Sequence, residues 1–366
     1  MTELGSQLVA MGHEVHWLTS KIPRTKELED YEGIKIHRVP ILFSSKFLFP
    51  GRQTFPFTAL MNRLDFEVDV VQANTLVAGY SGWRIAKKKK KPSLLFCHEF
   101  FGDLWKAIGQ NALERKIYPE LEKRIARSPY DLFACPSEHS KSTMVDAGTP
   151  SEKITVIPHG IDHSLYNTFA DPNYFRKKLR LEKYKLFGYL GRLRVKQTAQ
   201  SKNLPMLLEA TKIVCKKVPQ ARLVLAGAGY DELEPLVRKN GLEKSIVYAG
   251  DIPYDENAKF LKMCDVVVCP AVSDGFCFLL AQASACGVPV VASDAGSHRE
   301  RVVDGKTGLV AKLAAEDISD SLLRILCDEE LAEKLSRNAI EYSKELTWQK
   351  SAMKHLELYE RLKAAF

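Results

Sequence analysis

Asp274 and Gln282 are the two polar residues whose spacing carries the most chemistry in this chain of 366 residues. They lie eight positions apart in Ser273-Asp-Gly-Phe-Cys-Phe-Leu-Leu-Ala-Gln. On a helix rising about 1.5 Å per residue, that is ~12 Å along the axis. Groups so far apart cannot share one metal ion, but they can touch opposite ends of an extended ligand, such as a sugar at one end and a ribose at the other. Each also has a plain structural alternative: Asp274 as a helix N-cap, Gln282 as an exposed helix residue. The segment follows an apolar strand ending at Pro270. Ser273, Asp274 and Gly275 read as a turn and cap, and the helix is expected to begin near Gly275. Phe276, Leu279, Leu280 and Ala283 recur at helical spacing, Gly287 closes the helix, and Pro289 opens the next strand. A helix starting at the C-terminal edge of a parallel sheet gathers free N–H groups and a positive dipole end, which suits an anion.

A second group of residues is basic. Between Asp171 and Lys202 there are ten Lys and Arg against two acids, so this window alone accounts for the net charge of +8. Such a concentration points to an anionic ligand such as phosphate; a solvated surface explains it equally well. Within the window, Arg192 follows a strand directly in Gly191-Arg-Leu, where it would face the ligand crevice of an α/β sheet. Arg192 could clamp a phosphate with two hydrogen bonds and Lys202 could supply a point charge. Lys196 is an alternative to Lys202. Gly227-Ala-Gly229 after another strand is either a close approach to ligand or a tight turn.

The elements that must position these groups follow a repeated pattern. Short apolar, β-branched runs are expected as strands at 13–18, 34–39, 69–72, 94–98, 131–136 and 154–158, and again at 186–191, 222–227, 246–250, 265–270 and 289–293. They are apolar throughout, as parallel strands covered on both faces must be. Helical stretches between them imply βαβ units and two doubly wound domains. Pro158-His-Gly-Ile-Asp breaks the pattern, with a linker around 163–172. The chain enters helix-like sequence at once, whereas a doubly wound domain opens on a central strand and a tight loop. That strand and loop are therefore expected to be missing.

None of the eight cysteines forms a CxxC pair. Most lie in apolar segments as small hydrophobes, which suggests reduced thiols in a cytoplasmic protein and gives no metal-ligand spacing. No apolar run approaches the length of a membrane span, and the first residues lack the basic-then-apolar pattern of an export signal. Basic residues are not interleaved with aromatics, so nucleic acid is not an expected partner. Lys87, Lys88, Lys89, Lys90 and Lys91 end a helix, where they suit its dipole. The alternative to that plainer reading is that they hold the protein at the anionic inner face of a membrane, where a lipid-linked acceptor would lie.

Together these residues resemble the retaining GT-B glycosyltransferases of family 4, the sucrose-synthase and mannosyltransferase group. The resemblance runs through Gly12-His-Glu-Val-His-Trp-Leu-Thr, His98-Glu-Phe-Phe-Gly, Ser137-Glu-His-Ser-Lys, Ile154-Thr-Val-Ile-Pro-His-Gly-Ile-Asp, Gly191-Arg-Leu and Lys202-Asn-Leu. It continues through Gly227-Ala-Gly, Asp274-Gly-Phe, Ala285-Cys-Gly-Val-Pro-Val-Val-Ala, Gly305-Lys-Thr-Gly-Leu-Val and Thr347-Trp. It implies a GT-B fold, two Rossmann-like domains facing across a cleft. Residues 1–165 would bind acceptor, 172–345 would bind donor, and 346–366 would cross back to the first domain. It implies a nucleotide-diphospho-sugar donor, with no metal and no cofactor, and electrostatic catalysis by Asp274, His98, Arg192 and Lys202. The donor would meet Arg192, Lys202, Gly227, Gly229, Gly275, Phe276, Cys277, Gln282 and Glu300. The chain departs from the family where Asp274 and Gln282 stand in place of two Glu, and where about four extra residues separate Arg192 from Lys202. Asp274, Gln282 and the missing loop motivate one alternative, a non-catalytic nucleotide-sugar-binding or partner subunit; a GT-B nucleotide-sugar epimerase is a third reading. Acceptor contacts would lie on loops such as 42–57, which carry no readable code.

Overall fold

The apolar runs of the chain become parallel strands in a computed structural model that describes residues 2–42, 54–62, 64–109, 111–195 and 201–366. Lys196 and most of the loop 42–57 lie outside the described residues. The chain divides into two compact units. The first comprises Met1–Gly102, Pro119–Gly160 and Trp348–Phe366; the second comprises Asp103–Tyr118 and Ile161–Thr347. The division falls just ahead of the linker expected at 163–172. No helix among the described residues is long and apolar enough to cross a membrane.

In the first unit the strands are β1 (Val15–Ser20), β2 (Leu28–Tyr31), β3 (Ile34–Val39), β4 (Val71–Asn74), β5 (Ser93–Phe96), β6 (Leu132–Cys135) and β7 (Ile154–Val156). They form two separate sheets, β1-β3-β2 and β4-β5-β6-β7. All pairings are parallel except β2 with β3. The sequence pattern does not reveal β2, because Leu-Glu-Asp-Tyr is exposed throughout and shows no apolar alternation. The edges β1 and β4 border a cavity of about 460 Å³, lined by Val15, His16 and Trp17 on one side and Gln72 and Asn74 on the other. Two helices from opposite ends of the sequence hold the sheets together. Helix Thr2–Ala10 packs Leu4 and Leu8 against Trp348 and Ala352 of helix Trp348–Ala365. That last helix also seats Leu358 and Leu362 on Leu94, Phe96 and Ala134. Burying each such leucine contributes about 1.5–3 kcal/mol. The Tyr359 hydroxyl donates to Gln72 Oε1 at 2.7 Å, tying the helix to β4.

The second unit holds β8 (Lys185–Leu190), β9 (Ala221–Ala226), β10 (Ile246–Gly250), β11 (Val266–Cys269), β12 (Val290–Ser293) and β13 (Leu309–Ala311). They make one sheet in the order β10-β9-β8-β11-β12-β13, parallel throughout. Alternate residues feed two cores. Val224, Val267 and Val290 enter one, while Leu223, Val266 and Val291 enter the other. Both faces are therefore dry, which is why these strands read as unbroken apolar runs. From β8 the chain winds outward through β9 and β10, then returns to β11 and winds the other way. The reversal lies between β8 and β11, and ligands of open α/β sheets bind outside the strand ends at such a point. The second unit's segments at two of its boundaries, Ile161 and Leu346–Thr347, run side by side: Ile161 N–H donates to the Leu346 carbonyl at 2.9 Å, and Ile161 bridges to Thr347.

Candidate active site

The loops leaving β8 and β11 carry Arg192 and Asp274, one on each side of the switch point. Lys202 meets Asp274 here: Lys202 Nζ donates to Asp274 Oδ2 at 2.7 Å. The lysine is placed by its neighbour Ser201, whose carbonyl accepts the Val272 N–H at 2.8 Å, laying 201–203 along the loop after β11. Asp274 is held from three directions. Its Oδ1 accepts the N–H groups of Phe276 at 3.2 Å and Cys277 at 2.6 Å. Its own carbonyl accepts Ser297 N–H at 2.9 Å. Gly296 packs so closely that a Cβ there would lie 2.5 Å from the Asp274 nitrogen, and its φ of +56° also favours glycine. Burial opposes charge on both partners of the ion pair, yet their mutual attraction wins. The Lys202 ammonium is raised above its ordinary range and the Asp274 carboxyl is lowered below its own. Both are ionised at neutral pH.

The helix after this loop begins later than its apolar spacing suggests. It spans Phe278–Ala285, and Cys277 in front of it adopts a left-handed conformation with φ 56°. Asp274 therefore caps the N–H groups of the loop rather than the helix. Phe276, which fits the helical pattern, is buried ahead of the helix with the Arg301 guanidinium 4.6 Å over its ring. Gly287 does close the helix: Val288 N–H reaches back to the Ala283 carbonyl at 2.9 Å. The expected single apolar face is also absent, since Leu280, Ala281, Ala283, Ser284 and Ala285 are all buried.

The other expected residues fall into place unevenly. Arg192 is exposed, in a loop pinned by Leu193 N–H to the Ala228 carbonyl at 2.8 Å. Gly227 has φ +121°, and a Cβ on it would sit 2.1 Å from the Gly191 carbonyl oxygen. Its glycine is thus required by contact between the loops after β8 and β9. Gly229 likewise faces Arg194, whose Cγ lies 2.3 Å from where a Cβ would be. Gly275 is buried, and Gln282 is half-buried on its helix. Glu300 ends the short helix His298–Glu300, with its carboxylate 3.7 Å from Arg301 and its carbonyl accepting the Tyr342 hydroxyl at 2.7 Å. His98 lies in the first unit, in hydrogen-bond contact with His159 at 3.1 Å. Burial pulls the His98 imidazole down to about 4, so it is neutral at physiological pH. His159 sits in the quoted motif Ile154–Asp162 but was not singled out by sequence reasoning. Among the Lys87–Lys91 run, Lys87, Lys88 and Lys90 are exposed, whereas Lys89 donates to the Leu64 carbonyl at 2.9 Å.

Sequence spacing also misses that Cys269, Cys277 and His298 converge. These three buried residues present their donor atoms within 4.8 Å of one another. Cys269 Sγ is 3.4 Å from Cys277 Sγ and 3.6 Å from His298 Nε2. His298 Nδ1 donates to the Ser293 carbonyl at 2.8 Å. The Cys277 contact holds the Cys269 thiol below its ordinary range, against burial and with help from His298; burial and Cys269 push Cys277 up. Sequence separations of 8 and 29 residues gave no metal-binding signature.

Residues 171–342 match the family Glycosyl transferases group 1, and residues 1–165 match Glycosyltransferase Family 4. The chain carries these two domains on a GT-B fold, which makes it a glycosyltransferase of GT-B type. It is 27% identical to an uncharacterized glycosyltransferase of Methanocaldococcus jannaschii over 341 residues, covering 92% of this chain and 87% of that protein. Its fold resembles sucrose-phosphate synthase from Thermosynechococcus elongatus, with TM-score 0.84, 22% identity, and 100% of this chain and 92% of the other covered. It also resembles the Anabaena protein HepE in complex with UDP-glucose, with TM-score 0.73, 20% identity, and 89% and 86% covered.

Proposed function

We propose that the protein moves a hexosyl group from a UDP- or GDP-sugar to an acceptor, with retention of anomeric configuration and no metal on the diphosphate. The observation that carries this reading is the Lys202–Asp274 pair, 2.7 Å apart beside the switch point of the continuous sheet. As the donor sugar departs, negative charge grows on the diphosphate. A cation already fixed there stabilises that charge more than it stabilises the ground state. Lys202 is such a cation, because Asp274 keeps it protonated and oriented. Arg192, exposed on the adjoining loop, adds a guanidinium that can grip two phosphate oxygens. The Asp274 carboxylate, fixed by Lys202 and two loop N–H groups, meets the donor sugar. Gln282 offers an amide to the ribose hydroxyls, and Glu300 and the Gly275–Cys277 backbone complete the donor contacts. His98 enters this reading through the family resemblance, as a neutral imidazole near the reacting sugar. The relative HepE, seen with UDP-glucose, favours UDP as the first nucleotide to try.

The test is thermal unfolding with UDP and GDP at millimolar concentration, followed by transfer assays that read the anomeric configuration of the product by NMR. A rise in melting temperature and a retained configuration are expected. No shift with either nucleotide overturns the reading. A second reading, nucleotide-sugar binding without turnover, is favoured by one observation: both Asp274 oxygens are already engaged within the protein. Nucleotide binding with neither hydrolysis nor transfer of donor would establish it. The exposed Lys87, Lys88 and Lys90 extend the proposal to an anionic membrane face. Co-sedimentation with phosphatidylglycerol vesicles but not with phosphatidylcholine vesicles is the expected result.

A further inference from the structure

We infer that Cys269, Cys277 and His298 bind one thiophilic d¹⁰ cation, zinc(II) or copper(I), beneath the Asp274 loop. Two thiols in contact are ordinary core packing, since cysteine behaves as a small hydrophobe. The histidine is what packing does not require. It is wholly buried, and its Nδ1–H is taken by the Ser293 carbonyl. In the neutral ring this fixes the lone pair on Nε2, the atom that faces Cys269 Sγ at 3.6 Å. A carbonyl holding the far ring nitrogen is the usual support for a metal-ligating histidine.

The spacing agrees. With metal–sulfur bonds of about 2.3 Å and metal–nitrogen bonds of about 2.0 Å, donors at tetrahedral angles stand roughly 3.8 Å apart for two sulfurs and roughly 3.5 Å apart for sulfur and nitrogen. The two separations from Cys269 are 3.4 Å and 3.6 Å, and Cys277 and His298 hold their donor atoms within 4.8 Å of each other. Two sulfurs and an imidazole select soft or borderline cations over magnesium or calcium. Binding leaves both sulfurs as thiolates and the imidazole neutral, so the two protons held among Cys269, Cys277 and His298 go to solvent. The residues come from the end of β11, the position before helix Phe278–Ala285, and the short helix His298–Glu300. A cation would therefore pin together the loops that hold Asp274, through the Cys277 N–H that Asp274 accepts at 2.6 Å.

The test uses the full chain with its exposed Cys327 replaced by serine, stripped by chelator under reducing conditions. Zinc(II) and copper(I) are titrated in separate competitions against chromophoric chelators. One equivalent bound per chain is expected, weakened at least about 100-fold in Cys277→Ser and in His298→Gln. Tight binding in only one competition assigns the cation. Far-ultraviolet circular dichroism shows whether each variant is folded; if Cys277→Ser unfolds, His298→Gln decides alone. Substoichiometric binding, or equal affinity in parent and folded variants, overturns the site. So does a mild oxidant such as diamide linking Cys269 to Cys277 in a protein that takes up neither metal. None of these readouts involves nucleotide, so failure here leaves the proposed donor site untouched.

Discussion

The two units solve the same architectural problem with different means. Among the described residues the second runs six parallel strands in one sheet, and its catalytic candidates hang on loops locked backbone against backbone, Gly227 on Gly191 and Gly296 on Asp274. The first divides its strands into groups of three and four, with a cavity between β1 and β4. It is bridged by side chains of helices Thr2–Ala10 and Trp348–Ala365 rather than by a strand ladder. Rigidity is thus concentrated where charged groups must be held to within tenths of an ångström. The contrast also runs through the histidines. His98 and His355 in the first unit are buried with their imidazoles pulled down to about 4, while burial of His298 in the second is outweighed by Cys269, which raises it.

Acidification should separate the units most strongly. A buried neutral histidine stabilises the fold at neutral pH, and the benefit fades as pH falls below the unfolded value near 6.5 towards the folded value near 4. At pH 4.5 the loss is about 2.5 kcal/mol for each of His98 and His355. In the second unit the lowered Asp274 keeps its contribution above the ordinary carboxylate value, and His298, raised rather than lowered, is not a buried neutral histidine that must take up a proton there. Three of the four tryptophans, Trp17, Trp83 and Trp348, belong to the first unit. Tryptophan fluorescence should therefore report melting of the first unit ahead of the second in calorimetry at pH 4.5, and coincident melting at both pH values would break the comparison. Next comes Gly227→Val, which forces a side chain against the Gly191 carbonyl at a positive φ. It should cost the second unit roughly 4 kcal/mol and lower its denaturation midpoint while leaving the first unit's transition in place. Lys202→Ala should reduce kcat/KM for donor consumption by about 10²- to 10³-fold; a loss under threefold would remove the pair from catalysis. Tyr359→Phe, which deletes the hydroxyl bridge to β4, should cost about 1 kcal/mol, read by urea unfolding of the first unit.

Much of the second unit was legible in the sequence because both faces of its sheet are buried. Val266–Cys269 and Val290–Ser293 are apolar at every position, and a period of one is hard to mistake. β2 was illegible for the opposite reason, since none of its side chains is buried. β13 offers only three residues to read. The Lys202–Asp274 pairing combines two residues the motifs named, though no spacing could show that they touch. The helix start was misplaced because Phe276 obeys helical periodicity while serving as a platform for Arg301. Gly227 stays open between ligand approach and tight turn in the sequence, because a sequence does not show the Gly191 carbonyl packed against it. The Cys269–Cys277–His298 cluster arises only when three loops converge, so linear spacing held no trace of it.

The gap between β1 and β4 should leave a mark in isotope exchange. Along a parallel strand, successive amides point to opposite neighbours. β8 and β11 each lie between two strands, so deuterium should enter both more slowly and evenly. Each of β1 and β4 has a strand on one side and a cavity on the other. Their amides should exchange in a comb of period two, slow where the N–H meets β3 or β5 and fast where it looks into the gap.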